Sequence, residues 1–151
     1  MINYFMTSPD NTDFKQLVAE LDADLKIRDG EEHAFYAQIN KASNIKYAIV
    51  AYDNELAVGC GAFKEYSEDT IEVKRMYVLP HKRGRGIASE ILKKLEQWAI
   101  SLNYKKCLLE TGKQQPEAIQ LYKKNNYRII PNFGKYENVE NSICFEKIIN
   151  S

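Results

Sequence analysis

Residues 72–102 constrain this chain more than any other stretch. They begin Glu72-Val-Lys-Arg-Met-Tyr-Val-Leu-Pro80, pass through His81-Lys-Arg83-Gly-Arg-Gly86-Ile-Ala88, and continue with Ile91, Leu92, Leu95, Trp98, Ala99 and Leu102 at helical spacing. The pattern predicts strand, glycine loop and amphipathic helix. Gly84 and Gly86 fall where the helix begins, so unpaired backbone N–H groups and the positive end of the helix dipole converge on one point. Such a point binds anions, phosphates above all. Arg83 and Arg85 add charge, and glycine lets the backbone approach a ligand closely.

The spacing excludes the commonest phosphate loops. A nucleotide P-loop ends in Gly-Lys-Ser/Thr, whereas Gly86 is followed by Ile87-Ala88. A dinucleotide fold wants G-x-G-x-x-G, and here Ser89 holds the third position, with no acidic residue closing a βαβ unit about 20 residues later. What Arg83-Gly-Arg-Gly86-Ile-Ala88 resembles is the acetyl-coenzyme A signature of the GCN5-related N-acetyltransferases (GNAT), Arg/Gln-x-x-Gly-x-Gly/Ala. The likeness continues on both sides. Glu72 lies eleven residues before Arg83, where several GNAT enzymes keep a strand glutamate as general base. Downstream, Gln115-Pro-Glu-Ala118-Ile-Gln-Leu-Tyr122-Lys-Lys-Asn-Asn126-Tyr127 resembles the second signature, Asn-x-x-Ala-x-x-x-Tyr followed by Gly-Phe/Tyr. Gln115 replaces the usual Asn and Asn126 the usual Gly, and asparagine can still take the left-handed conformation that ends a helix.

The resemblance implies a small, bacterial-type α/β domain spanning residues 1–151. Its mixed central sheet has about six to seven strands with splayed central parallel strands, flanked by about four helices. It also implies acetyl-CoA as co-substrate, no metal, and direct transfer to a primary amine. Backbone N–H groups of Arg83, Gly84, Arg85, Gly86, Ile87, Ala88 and Ser89 are expected to hold the pyrophosphate. Met76, Tyr77 and Val78 are expected to pair with the pantetheine arm as an added strand, with Gln115, Ala118 and Tyr122 on its other side. The Met76 amide becomes the donor to the thioester carbonyl, a type of contact worth about 3 kcal/mol of barrier. Glu72 is the leading base and Glu110 the second candidate. Tyr122 either protonates the leaving thiolate or only packs against the coenzyme.

The remaining residues set the frame. Twenty-one basic and 21 acidic residues cancel, which argues against nucleic acid and membrane as partners. Cys60, Cys107 and Cys144 sit in apolar runs without CxxC spacing, so they read as reduced core residues rather than a disulfide or zinc set. With no apolar run near 18 residues and no signal-peptide pattern, a cytoplasmic location is expected.

Residues 1–6 suit a first strand. Thr7-Ser-Pro-Asp10 supplies turn and capping chemistry, and Phe14, Leu17, Val18, Leu21 and Leu25 predict a helix ending near Asp29-Gly30. A second helix fits residues 31–41, whose Phe35 and Tyr36 face either the core or, by the resemblance, the acceptor. Residues 45–51 and 56–63 form a hairpin. Strand alternation puts Lys74 on the face of Glu72 and Arg75 opposite, unless a bulge near Tyr77 changes it. Residues 104–111, 127–130 and 142–149 complete the strands, and Pro116 opens a helix.

Three function classes compete: an acetyltransferase, a non-catalytic acyl-CoA sensor, and a nucleic-acid clamp built on Lys82, Arg83 and Arg85. The last fails on net charge. The acceptor, a small molecule or a peptide amine, stays open, with Asp22, Asp24, Glu31 and Glu32 offering an acidic setting that a polyamine would favour. A homodimer is also left open.

Overall fold

The computed structural model describes residues 1–29 and 45–150. The helix expected over residues 31–41, with Phe35, Tyr36, Glu31 and Glu32, lies outside the described residues. In chain order the elements are β1 (Ile2–Thr7), α1 (Thr12–Asp29), β2 (Tyr47–Asp53), β3 (Leu56–Ser67), β4 (Thr70–Val78), α2 (Ile87–Ser101), β5 (Lys106–Gly112), α3 (Pro116–Lys124), β6 (Arg128–Ile130) and β7 (Ser142–Ile148). Short 3₁₀ turns cover Pro80–Lys82 and Gly134–Tyr136.

Tight turns join β2 to β3 and β3 to β4, whereas α1 lies between β1 and β2. β1, β2, β3 and β4 pair antiparallel in sequence order, and the complete order is β1-β2-β3-β4-β5-β7-β6. Among the described residues, only β4 and β5 run parallel, over Thr70–Glu72 and Lys106–Leu108. Beyond Glu72 the ladder between them ends while both strands continue, so the middle of the sheet opens into a wedge. This is the splayed mixed sheet that the resemblance implies, with three α-helices among the described residues.

Each face carries its own core. On one, Ile87, Ile91, Leu92, Leu95 and Ala99 of α2 bury against Ile49, Val58, Phe63, Ile71 and Val73 of the strands. That stripe is the one expected from the sequence. On the other, Phe14, Leu17 and Leu21 of α1 cover Ala48, Val50, Cys60 and Ala62. Each buried large side chain contributes about 1.5–3 kcal/mol.

Helix ends follow local chemistry. The Asn11 side chain caps α1 by accepting the Phe14 N–H at 2.9 Å, so the cap lies one residue past the expected turn sequence. Pro116 opens α3 as expected, and Asn126 beyond its end sits at φ 71°. Gly61 of β3 lets α2 approach closely, since a Cβ there would stand 2.6 Å from Met76 Sδ and 2.8 Å from Ile91 Cγ2.

Candidate active site

A bulge in β4 decides which side chains reach the wedge. Cys60 pairs with Tyr77 and Ala62 with Lys74, so Gly61 alone faces both Arg75 and Met76. Arg75 takes φ +61°, rare for a long side chain. The extra residue shifts strand parity. Ile71, Val73 and Val78 all join the α2 core while Tyr77 joins the α1 core. The bulge therefore sits at Arg75 and Met76, directly before Tyr77, near which one was expected. It moves Arg75 off the face that strict alternation gives, so that it lines the same inner cavity as Glu72 and Lys74.

The wedge holds two adjoining cavities. The outer, of about 590 Å³, runs from the glycine loop along β4 to α3. The inner, of about 90 Å³, lies deeper between β4 and β5. Leu21, Met76, Gln115 and Tyr122 line both, and so mark the junction.

At the outer end, Gly84 and Gly86 adopt φ +82° and +79°, and a Cβ at either would meet nothing within 4 Å. Their backbone is open to a ligand. Gly86 is the N-cap of α2 and has no side-chain cap, leaving the first helical N–H groups, those of Ile87, Ala88 and Ser89, for an anion. All three residues line the outer cavity, as do Tyr77, Val78, Arg83 and Ala118. Arg83 donates from Nε to the Val78 carbonyl at 2.9 Å and lies 5.6 Å over the Tyr77 ring. That bond fixes the arginine at the cavity wall and occupies one acceptor of the strand expected to pair with an extended ligand. Arg85 is the exception among the expected residues. Its side chain turns to Asp53 at 3.5 Å, beside Lys82 at 3.1 Å. Ser89 Oγ accepts from Asn125 Nδ2 at 3.1 Å, which ties the start of α2 to the end of α3.

The inner end is a charged, buried cluster. Glu72, 4% exposed, accepts on Oε2 from the Tyr136 hydroxyl at 3.2 Å and from Lys74 Nζ at 3.5 Å, while Lys64 Nζ stands 3.9 Å from Oε1. Lys74 also donates to the Tyr136 oxygen at 3.1 Å. Burial lowers the Lys74 pKa from its ordinary value, against the opposing pull of Glu72. The Tyr136 phenol is pushed well above the ordinary range, first by burial and then by Glu72. Tyr122 at the junction is raised by burial and by Glu110, so its phenol stays protonated at neutral pH. Glu110 Oε2 accepts from Ser142 at 2.6 Å.

Sequence reasoning missed Tyr136. It sits in a polar loop, 64 residues from Glu72, and the T-shaped contacts of Phe133 with Tyr66 and with Tyr136 hold it over the cavity. Two aromatics amid polar residues were the available signal. The three cysteines are free and buried, as expected.

Comparison with known proteins agrees with this geometry. The model of the acetyltransferase (GNAT) family matches residues 14–127. The chain is 35% identical over 136 residues to an IAA acetyltransferase of Azospirillum brasilense, spanning 87% of this chain and 88% of that one. A Klebsiella pneumoniae protein assigned as an acyl-CoA N-acyltransferase superposes with a TM-score of 0.82 at 28% identity over 99% of this chain and 98% of its own. The PaiA N-acetyltransferase of Thermoplasma acidophilum, solved in complex with coenzyme A, shares the fold with a TM-score of 0.72 at 16% identity over 98% and 99% of the two chains. With most of its length matched by the family model and by a relative of the same size, the chain belongs to the acetyltransferase (GNAT) family and is an acyltransferase enzyme.

Proposed function

We propose that this enzyme transfers the acetyl group of acetyl-CoA to a primary amine, by direct attack at the junction of the two cavities. The observation that carries the reading is the wedge itself: an uncapped helix mouth at its outer end, a buried carboxylate at its inner end, and Met76 and Tyr122 between them. The residues present fit such a ligand. Open glycine backbone and the α2 N-terminus suit a diphosphate, and the outer cavity is long enough in its lining to hold an extended arm from Ser89 to Met76.

Acetyl-CoA supplies an acyl carbon already activated as a thioester, and the chain supplies position and protons. The Met76 N–H, at the bulge, serves as donor to the carbonyl oxygen where negative charge develops. Glu72 takes a proton from the incoming ammonium, directly or through water, and frees the lone pair that attacks. Its Oε1 suits this role, being engaged among the described residues by Lys64 at 3.9 Å, whereas Oε2 holds Tyr136 and Lys74. As the C–N bond forms and the C–S bond breaks, Tyr122 gives its phenolic proton to sulfur and recovers one from the nitrogen. Glu110 is the second candidate base.

Calorimetric titration with acetyl-CoA, followed by free-thiol release across a panel of amines, tests the reading. Binding with amine-dependent thiol release supports it. Binding with no turnover on any amine would favour the sensor alternative, and no binding would refute both.

A further inference from the structure

A braced loop between β6 and β7 holds Tyr136 over Glu72. Tyr136 ends the 3₁₀ turn Gly134–Tyr136, its N–H donates to the Phe133 carbonyl at 2.9 Å, and its own carbonyl accepts from the Val139 N–H at 3.0 Å. The Phe133 ring meets it edge-on at 5.5 Å and meets Tyr66 at 5.3 Å. Asn132 closes the loop by donating from Nδ2 to the Val139 carbonyl at 3.0 Å. The phenol is thereby buried on the wall of the inner cavity.

The groups around its oxygen fix the direction of its proton. Lys74 as an ammonium can only donate, and it reaches the Tyr136 oxygen at 3.1 Å; Glu72 as a carboxylate can only accept, and its Oε2 lies 3.2 Å away. The hydroxyl proton therefore points to Glu72. Burial, then the charges of Glu72 and Glu110, raise the Tyr136 pKa, so the donor keeps its proton at neutral pH. Lys74 Nζ at 3.5 Å from Oε2 and Lys64 Nζ at 3.9 Å from Oε1 attract the carboxylate, but contacts of that length set no firm direction. Lys64 of β3, Lys74 and Arg75 of β4, Glu110 of β5 and the Cys144 thiol of β7 complete the electrostatic setting. Phenylalanine in place of Tyr136 would alter the charge of none of them.

We infer that Tyr136 is a positioning residue for the reaction: it pins Oε2 of Glu72, so that Oε1 is presented to the incoming amine. The inference rests on the acetyl-transfer reading above, in which Glu72 takes the amine proton, and names the group that aims it. Tyr136 acts through Glu72 and takes no proton itself.

The test measures thiol release from acetyl-CoA with a primary amine found by the panel above, for wild type, Tyr136→Phe, Glu72→Gln and the double variant, at pH 7 and pH 9. Tyr136→Phe should lower kcat at pH 7 by about tenfold, within the loss that a misplaced catalytic group brings. Calorimetric affinity for acetyl-CoA should stay within about twofold. At pH 9 the deficit should shrink to about threefold or less, because more acceptor arrives neutral and needs no base. In the Glu72→Gln background the same substitution should cost less than about twofold, since groups that act as a unit are not additive. A merely structural tyrosine would give one deficit at both pH values and in both backgrounds. That result, or a Tyr136→Phe rate equal to wild type, overturns the inference while an impaired Glu72→Gln leaves the reading standing. Should Tyr136→Phe fail to fold, Phe133→Leu loosens the ring contact that seats Tyr136 and decides by the same pH comparison. A loss of about threefold at pH 7 that fades at pH 9 supports the inference, and an unaltered rate or a pH-independent loss overturns it. An unimpaired Glu72→Gln, or no amine turnover by wild type, would instead bring down the reading, and the inference with it.

Discussion

Glu72 combines three properties that decide its use: burial, two hydrogen bonds to one oxygen, and a second oxygen that meets, among the described residues, one distant lysine. Replacing it with glutamine keeps the shape and removes the proton acceptor. Glu72→Gln is expected to lower kcat at pH 7 by about 100-fold and by less at pH 9, where more acceptor arrives neutral, with acetyl-CoA affinity unchanged. A parallel pH profile would move the base to Glu110. The cysteines give a separate check. Burial pushes the Cys60 and Cys107 thiols up to about 12 and Cys144 to about 11, so the native protein should resist alkylation at pH 8 and react only on unfolding. At this scale the gathering of Glu72, Met76 and Tyr122 around one cavity was legible, because signature spacing ties each to a known element. Tyr136 was not, since its partner is brought close by a loop whose course no local periodicity encodes.

The turn into α2 was legible down to its backbone, as two glycines before an apolar stripe leave few alternatives. Because a Cβ at Gly86 meets nothing, the cost of Gly86→Ala is conformational alone. That variant should lose about 1 kcal/mol in chemical denaturation and bind coenzyme A more weakly. Unchanged affinity would show that the turn does not shape the diphosphate site. The bulge in β4 was less legible. Strict alternation puts Arg75 opposite Glu72 unless a bulge near Tyr77 intervenes, and the pairing with Gly61 shows that the exception holds and where the extra residue falls. Arg85 marks the same limit for the loop: its charge was readable, but its engagement by Asp53 depends on where β2 ends.

Across the whole molecule, the hairpins of the first half and the late helices implied a mixed sheet, whereas the insertion of β7 between β5 and β6 needs long-range pairing that sequence pattern does not announce. That insertion creates a pH-sensitive contact. Arg128 of β6 donates from Nε to Glu146 of β7 at 2.9 Å and holds its carboxyl below the ordinary 4.5. A depressed carboxylate stabilises the fold above its unfolded pKa and loses that contribution as pH falls through the folded value. Arg128→Ala should therefore shrink the acid-induced loss of stability below pH 4.5, read as Tm against pH. Coenzyme A at 100 times its Kd should raise Tm by roughly 5–10 °C, corresponding to about 2.7 kcal/mol of linkage.

The central claim is that the opening between β4 and β5 is the seat of acyl transfer. A crystal structure with coenzyme A bound tests it most directly. The diphosphate should accept from backbone N–H groups within residues 84–89, and the sulfur should lie within about 3.5 Å of the Tyr122 hydroxyl. A coenzyme bound elsewhere, or with its thiol directed away from Met76 and Tyr122, would contradict the account.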